Sequence, residues 1–151
     1  MASPFPFTAG QVLTAAELNA IGESLSYTPT YTNMSLGNGT VTASYVLVQN
    51  LLSVVVEFEF GSTSTISGNP AISIPSGLSW TNDSGVVGGC RLRDEGVANY
   101  LGMVQANPNG MLLVGMGASG TYSSTQIINA TNPFTWGATD KIELYATGSV
   151  A

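Results

Sequence analysis

Alternation of apolar and polar residues is the main signal along most of this chain. It is clearest over residues 52–60, where one parity is apolar (Val54, Val56, Phe58, Phe60) and the other is mostly polar (Ser53, Val55, Glu57, Glu59). Successive side chains of a strand point to opposite faces, so this run predicts a strand with one buried face. The run 41–48 before it has the same character, and Gln49-Asn50 between the two predicts a hairpin turn.

The remaining strand-like runs are separated by short segments rich in Gly, Pro, Asn and Asp, which favour turns. Asn38-Gly39 predicts an early tight turn with positive φ. The later candidate strands are 71–74, 86–93, 97–105, 111–116, 125–128 and 141–147. About eight strands at intervals of about 8–12 residues, with no helical pattern between them, predict an all-β fold, an antiparallel β-sandwich or jelly-roll-like body.

The first 26 residues do not share this pattern. Thr14 is a favourable helix N-cap, and Glu17, three residues later, completes a capping box. We therefore predict a short N-terminal helix. The chain divides into an arm and anchoring helix at 1–26 and a β-sandwich domain at 27–151.

Apolar residues of this leader predict a contact surface. Leu13 and Leu18 have the spacing of a hydrophobic staple, and Leu18, Ile21 and Leu25 form a narrow helical seam. Phe5-Pro6-Phe7 forms an extended apolar arm before them. A helix of this length is marginal in water, so it either folds back on the β body or joins a larger assembly.

The composition narrows the function classes. Only 8% of residues are charged, against about 25% in ordinary domains. The net charge is −6, with Arg91, Arg93 and Lys141 as the basic residues. This balance argues against binding nucleic acid or an anionic membrane surface. Weak self-repulsion favours close symmetric association of identical chains.

Few residues are suited to catalysis. The chain has no histidine, which excludes Ser-His-Asp and Cys-His systems and His-based metal sites. The single cysteine, Cys90, alternates with apolar residues and is predicted to be a buried thiol, with a reactive thiol beside the arginines as the alternative. Two carboxylate pairs, Glu57 with Glu59 and Asp94 with Glu95, fit a strand face and a turn. We expect no enzyme and no cofactor.

Four aromatic residues near predicted turns are candidates for glycan contact. Aromatic rings on loops can stack on the apolar faces of sugars. The alternative is that they cover the core and the sheet edge. The four are Trp80, Tyr100, Tyr122 and Trp136.

The start of the chain resembles the N-terminal leader of small bacteriophage tail-fibre and virion proteins. It reads Phe5-Pro-Phe-Thr-Ala-Gly10-Gln-Val-Leu13-Thr14-Ala15-Ala-Glu-Leu18-Asn19, and such leaders read Phe-x-x-Gly-x-x-Leu-Thr-Ala-x-x-Leu-Asn. Pieces of the body are similar to the same group, in the same order along the chain. They are 26–30, 37–40, 45–46, 60–65, 132–136 and 139–142.

This resemblance implies a trimeric β-sandwich displayed on a virion and anchored through its leader, with no catalytic residues. Two locations stay open. One is a capsid decoration or short head fibre on the major capsid protein; the other is a tail-fibre or tail-tip adhesin that binds a host-surface glycan. A carbohydrate-binding module is a more distant alternative. The anchoring candidates are Phe5, Phe7, Leu13, Leu18, Ile21 and Leu25.

The sequence shows no recognisable signal for export or for membrane insertion. No signal peptide is visible at the start, and no apolar run approaches the length of a membrane span. We therefore expect synthesis in the host cytoplasm, a final location on the virion surface, and no membrane insertion.

Overall fold

The computed structural model describes residues 9, 10, 12, 14–19, 21–82, 84–119 and 122–151. Antiparallel strands dominate this part of the chain, which confirms the all-β prediction. One short helix is described, and none of the described helical residues forms a segment long and apolar enough to cross a bilayer. The elements are α1 (Ala15–Asn19), β1 (Leu25–Ser26), β2 (Tyr31–Ser35), β3 (Thr40–Val48), β4 (Leu51–Glu59), β5 (Thr65–Ser73), β6 (Val86–Asp94), β7 (Ala98–Asn107), β8 (Gly110–Ser119), β9 (Tyr122–Ile127) and β10 (Lys141–Ser149).

The strands form one antiparallel sheet in the order β1-β3-β4-β10-β6-β7-β8-β5-β2, with β9 paired to β8. The sheet curls, so its two ends face each other as the layers of a β-sandwich. Tyr31 of β2 meets Phe58 of β4 edge-on, with 5.5 Å between ring centroids. Tyr27, just after β1, donates a hydrogen bond to the Ser73 carbonyl of β5 at 3.1 Å. These contacts connect strands that are far apart in the sheet order.

The core lies inside this curl and is built on β4, as the alternation predicts. Val56 and Phe58 are fully buried, and their partners across β10, Leu144 and Ile142, are buried with them. Leu92 of β6 continues the same layer. Burying one such side chain contributes about 1.5–3 kcal/mol, so these central strands hold the sheet together.

The predicted hairpin between β3 and β4 is confirmed, and its turn residue Gln49 has φ of 55°. The turn at Asn38-Gly39 differs from the prediction. Positive φ, 53°, falls on Gly37, and the turn connects β2 to β3, which are not neighbours in the sheet. A side chain on Gly39 would collide with the Glu59 carbonyl, because this connection packs against the one after β4.

Strand β2 is absent from the sequence prediction because a bulge breaks its period. Asn33 has φ of 57°, and the register with β5 shifts between Thr32 and Met34. Tyr31 and Met34 therefore both pack toward the core although three positions separate them. An extra residue in one strand has this effect on alternation.

The leader is only partly as predicted. The capping box is present: the Thr14 N–H donates to Glu17 Oε2 at 2.8 Å, and the Glu17 N–H donates to Thr14 Oγ1 at 3.2 Å. The helix ends at Asn19, however, and Gly22 follows with φ of 76°. Ile21 lies in that turn.

Leu25 is not on a helix, so the predicted Leu18-Ile21-Leu25 seam is wrong. Leu25 lies in β1 and pairs with Tyr45 of β3. The sheet therefore begins at Leu25, two residues inside the segment assigned to the arm. Phe5, Phe7, Leu13 and the side chain of Leu18 lie outside the described part of the chain.

Candidate functional site

The candidate site is the outer face of β4, β10, β6 and β7, the face that points away from the core. Val55 pairs with Tyr145, Tyr145 pairs with Gly89, and Gly89 pairs with Met103, so these positions form one row across four strands. Val55 is 58% exposed, Tyr145 is 64% exposed, and Leu101 beside the row is 66% exposed. Clustered exposed apolar side chains often mark an interaction surface.

A shallow depression of about 560 Å³ lies in the middle of this face. Its floor is Gly89, which has no side chain, and its walls include Val55, Leu101 and Tyr145. The Tyr145 ring lies over Gly89, close enough that a Cβ there would be 3.2 Å from the tyrosine oxygen. An aromatic residue across from a strand glycine covers the backbone that the glycine exposes.

Lys141 compensates two carboxylates at one end of the outer face. The β4–β10 register places Lys141 opposite Glu59, with Glu57 two residues away on the same side of the strand. Lys141 Nζ lies 2.8 Å from Glu57 Oε1 and 3.0 Å from Glu59 Oε2. Hydrogen bonds to Glu57 and then to Glu59 raise the pKa of Lys141 to about 12.

The two arginines are paired in the same way. Arg91 forms an ion pair with Glu143 directly across the β6–β10 register. The hydrogen bond from Arg91 holds the pKa of Glu143 below its usual value. Arg93 Nη2 lies 2.7 Å from Glu95 Oε2 at the edge of the face. All three basic residues of the chain are therefore engaged on this one face.

The resulting charge distribution is uneven. Four carboxylates and three basic groups give the outer face a formal charge of −1, while the other five acidic residues of the sequence carry the remaining −5. The outer face is therefore close to neutral on a chain that is otherwise acidic. Apolar residues with compensated charges suit contact with another protein surface.

The carboxylate pairs singled out in the sequence fit this arrangement. Glu57 and Glu59 share Lys141, and Asp94 and Glu95 begin a turn in which the Val97 N–H donates to the Asp94 carbonyl at 3.0 Å. Within the described residues, no three His, Cys, Asp or Glu side chains come together as ligands for a metal ion.

The side chain of Cys90 points to the inner face of the sheet and is buried, as predicted. Burial raises the pKa of its thiol to about 12. Its sulfur faces Gly102 of β7, where a Cβ would come within 2.6 Å of it. Arg91 and Arg93 point to the outer face, so they do not activate this thiol.

The aromatic residues proposed for glycan stacking are mostly packed inside. Trp80 is buried, and its indole N–H donates to the Gly110 carbonyl at 2.8 Å, so it offers no open ring face. Trp136 stacks on Phe60 with 4.8 Å between centroids, and Tyr100 stacks on Phe134 at 5.4 Å. The interpretation as core and edge cover fits these three. The Tyr122 side chain lies outside the described part of the chain.

A polar cleft of about 590 Å³ lies elsewhere, between the segment after β1 and the segment after β5. Its polar lining consists of hydroxyl and amide groups, and no charged residue lines it. The half-buried Tyr27 forms one wall, and burial raises the pKa of its phenol. In the described residues, no hydrogen bond satisfies the side chains of Thr28, Ser76 or Asn109. The sequence did not indicate this cleft, because three separate segments build it.

No family model matches this chain, and the searches of curated proteins and of solved structures found no match to it.

Proposed function

We propose that this protein is a structural component of a bacteriophage particle. In this proposal it is a homotrimer displayed on the capsid as a decoration or short head fibre, and it attaches through its N-terminal leader to the major capsid protein. The resemblance of the leader and of ordered pieces of the body to small virion proteins supports the link to phage. The observation that carries an assembly role is the exposed, charge-compensated apolar outer face.

The outer face supports contact rather than chemistry for a specific reason. Lys141 and Arg91 form ion pairs with its carboxylates, and the hydrogen bond from Arg91 holds the pKa of Glu143 below its usual value. General acid–base catalysis needs a group that gains and loses a proton near the working pH. A surface built from such pairs and from Val55, Leu101 and Tyr145 instead provides shape and apolar area.

The short helix α1 supports attachment through the leader. The helix α1 has five residues, and Ala15 and Ala16 on it are exposed. Its capping box fixes where the helix starts, but a helix this short is not stable without a partner surface. The sheet begins only at Leu25. In this proposal, the particle supplies that partner surface to α1.

Copy number on purified particles tests the location. Protein stain intensity relative to the major capsid protein should correspond to on the order of hundreds of copies per particle, because a capsid repeats the same binding position by symmetry. A handful of copies would place the protein on the tail. Its absence from purified particles would overturn the proposal.

Deletion of residues 1–22 tests the attachment, because it keeps β1 and the whole sheet. The shortened protein should keep its β-type circular dichroism and cooperative melting while losing incorporation into particles. A matched control is Glu23→Gln, which changes an exposed residue between the deletion and β1. Incorporation of the shortened protein at the level of the intact chain would place the attachment surface in the β body.

A second candidate function is a tail-fibre or tail-tip adhesin for a host-surface glycan, and the polar cleft favours it. Free hydroxyl and amide groups beside an aromatic wall match the hydrogen-bonding groups and apolar faces of a neutral sugar. Substitution of Thr28 and Asn109 by Ala should then reduce adsorption to host cells without lowering particle stability. Unchanged adsorption would count against the adhesin.

A further inference from the structure

We infer that the outer face of β4, β10, β6 and β7 is covered by a second copy of this chain. The inference deepens the proposed function, since it names the surface through which the proposed homotrimer assembles. It stands on the distribution of charge and exposure over the described residues, and it does not depend on where in a virion the protein is found.

Charge complementarity favours an identical partner. Two copies of a chain with net charge −6 carry like charge, so a contact between them must limit repulsion. The outer face carries both signs, with three basic residues and four carboxylates that sum to a formal charge of −1. Two copies of this face therefore meet with little net repulsion, and basic groups of one copy can pair with carboxylates of the other.

The ion pairs of the face are suited to partial burial. Arg91 and Glu143 already pair within one chain, and their side chains stay 49% and 27% exposed. An unpaired charge buried at an interface is costly, whereas a paired one with further hydrogen-bonding capacity is tolerated. Arg91 keeps guanidinium N–H groups for a carboxylate of the neighbouring copy, since its pair with Glu143 uses Nε.

The apolar residues of the face lie in two groups that can meet. Val55 and Tyr145 stand on β4 and β10, on one side of the Gly89 floor, and Leu101 stands on β7, on the other side. In a cyclic trimer each contact is between two different patches of the same surface. The β4–β10 group of one copy would pack against Leu101 of the next, so one face supplies both halves of the contact.

The test is the mass of the full-length protein in solution, with a matched pair of substitutions. Leu101→Glu places a charge among the apolar residues of the face, and Val97→Glu places the same charge in the β6–β7 turn, at a residue that is 76% exposed. Light scattering at micromolar concentration should give a multiple of 15.5 kDa for the native chain and for Val97→Glu. Leu101→Glu should weaken self-association by at least about tenfold.

A second substitution protects the test against misfolding. If Leu101→Glu loses its native circular dichroism, Val55→Glu on β4 takes its place, since Val55 is also exposed on this face. Equal masses for the native chain and for whichever of these two variants keeps its fold would overturn the inference. So would a native chain that is monomeric at micromolar concentration.

Other occupants of the face give different results. If the leader covers it within one chain, the native protein is a monomer, and deletion of residues 1–22 increases binding of a hydrophobic dye, which overturns the inference. If a different virion protein covers it, Leu101→Glu keeps the native mass and loses particle incorporation, which also overturns it.

Two other outcomes support the inference and contradict part of the proposed function. If the native chain is a dimer and Leu101→Glu dissociates it, the proposed trimer is contradicted. If Leu101→Glu dissociates the oligomer but purified particles do not contain the protein, the inference is supported and the virion role is contradicted.

Discussion

The inner and outer faces of β4 contain similar residues with different partners. Val54 and Val56 are buried by the curl of their own sheet, while Val55 between them is largely exposed. The fold therefore accounts for the apolar residues of the inner face but not for those of the outer face. The comparison separates residues that hold the fold together from residues available for assembly, and the sequence alternation already places Val55 on the opposite face from Val54 and Val56.

Thiol reactivity should show the largest difference between the faces. Burial raises the pKa of Cys90 from 9.0 to about 12. At pH 8 this lowers its thiolate population roughly a thousandfold, because each pKa unit is a factor of ten in that population. Labelling by a thiol reagent at pH 8 should therefore be very slow until denaturant is added. The control is Val97→Cys in a Cys90→Ala background, which should label at once. Rapid labelling of native Cys90 would mean that the inner face opens to solvent.

Truncation of a core residue should have the next largest effect. Phe58 is fully buried on the inner face, so Phe58→Ala should lower the free energy of unfolding by about 3–5 kcal/mol. Val55→Ala, on the outer face of the same strand, should change it by no more than about 0.5 kcal/mol in the dissociated chain. Urea denaturation at high dilution measures both. A loss for Val55→Ala comparable with that for Phe58→Ala would show that the outer face belongs to the core.

Two glycines give a finer comparison. A Cβ on Gly102 would press on Cys90 Sγ and on the Val114 carbonyl, inside the core. Gly102→Ala should therefore destabilise by about 1–3 kcal/mol, the usual cost of overpacking. A Cβ on Gly89 would meet the exposed ring of Tyr145, which can move aside.

Gly89→Ala should accordingly cost less than Gly102→Ala in thermal denaturation followed by circular dichroism. The reverse order would mean that Tyr145 is held rigidly over the outer face.

The sequence predicted the features that depend on local alternation. Strand β4, its hairpin with β3 and the burial of Cys90 follow from residues within a few positions of one another. Strand β2 was missed because the bulge at Asn33 places Tyr31 and Met34 on the same side. The helical seam failed because a left-handed Gly22 ends the turn before Leu25, which β3 takes as a strand partner.

The outer face could not be predicted because it depends on strand order. Strand β10 lies between β4 and β6, and this brings Tyr145 beside Val55 although 90 positions separate them in the chain. The same register brings Glu143 to Arg91. Alternation marks which side chains share a face of one strand, but it carries no information on which strand lies next to it. Only the assembled sheet shows that these residues form one surface.

The smallest expected effect concerns the ion pair of Arg91 and Glu143 on the outer face. Arg91 lowers the pKa of Glu143 in the folded chain, so the folded state binds this proton less readily than the unfolded state does. The stabilisation is therefore fully present above the ordinary glutamate pKa of about 4.3 and is lost as the pH falls through the lower folded value. The pair is partly exposed to solvent, so Glu143→Gln should cost no more than about 1 kcal/mol at pH 7. Urea midpoints should differ between the native chain and Glu143→Gln at pH 7 and converge once the pH lies below the lowered pKa of Glu143, and high salt should reduce the difference because it screens exposed charges. The exposed residue Glu23 provides the control substitution, Glu23→Gln. A difference that is independent of pH and salt would mean that Glu143 stabilises the sheet through packing rather than through its charge.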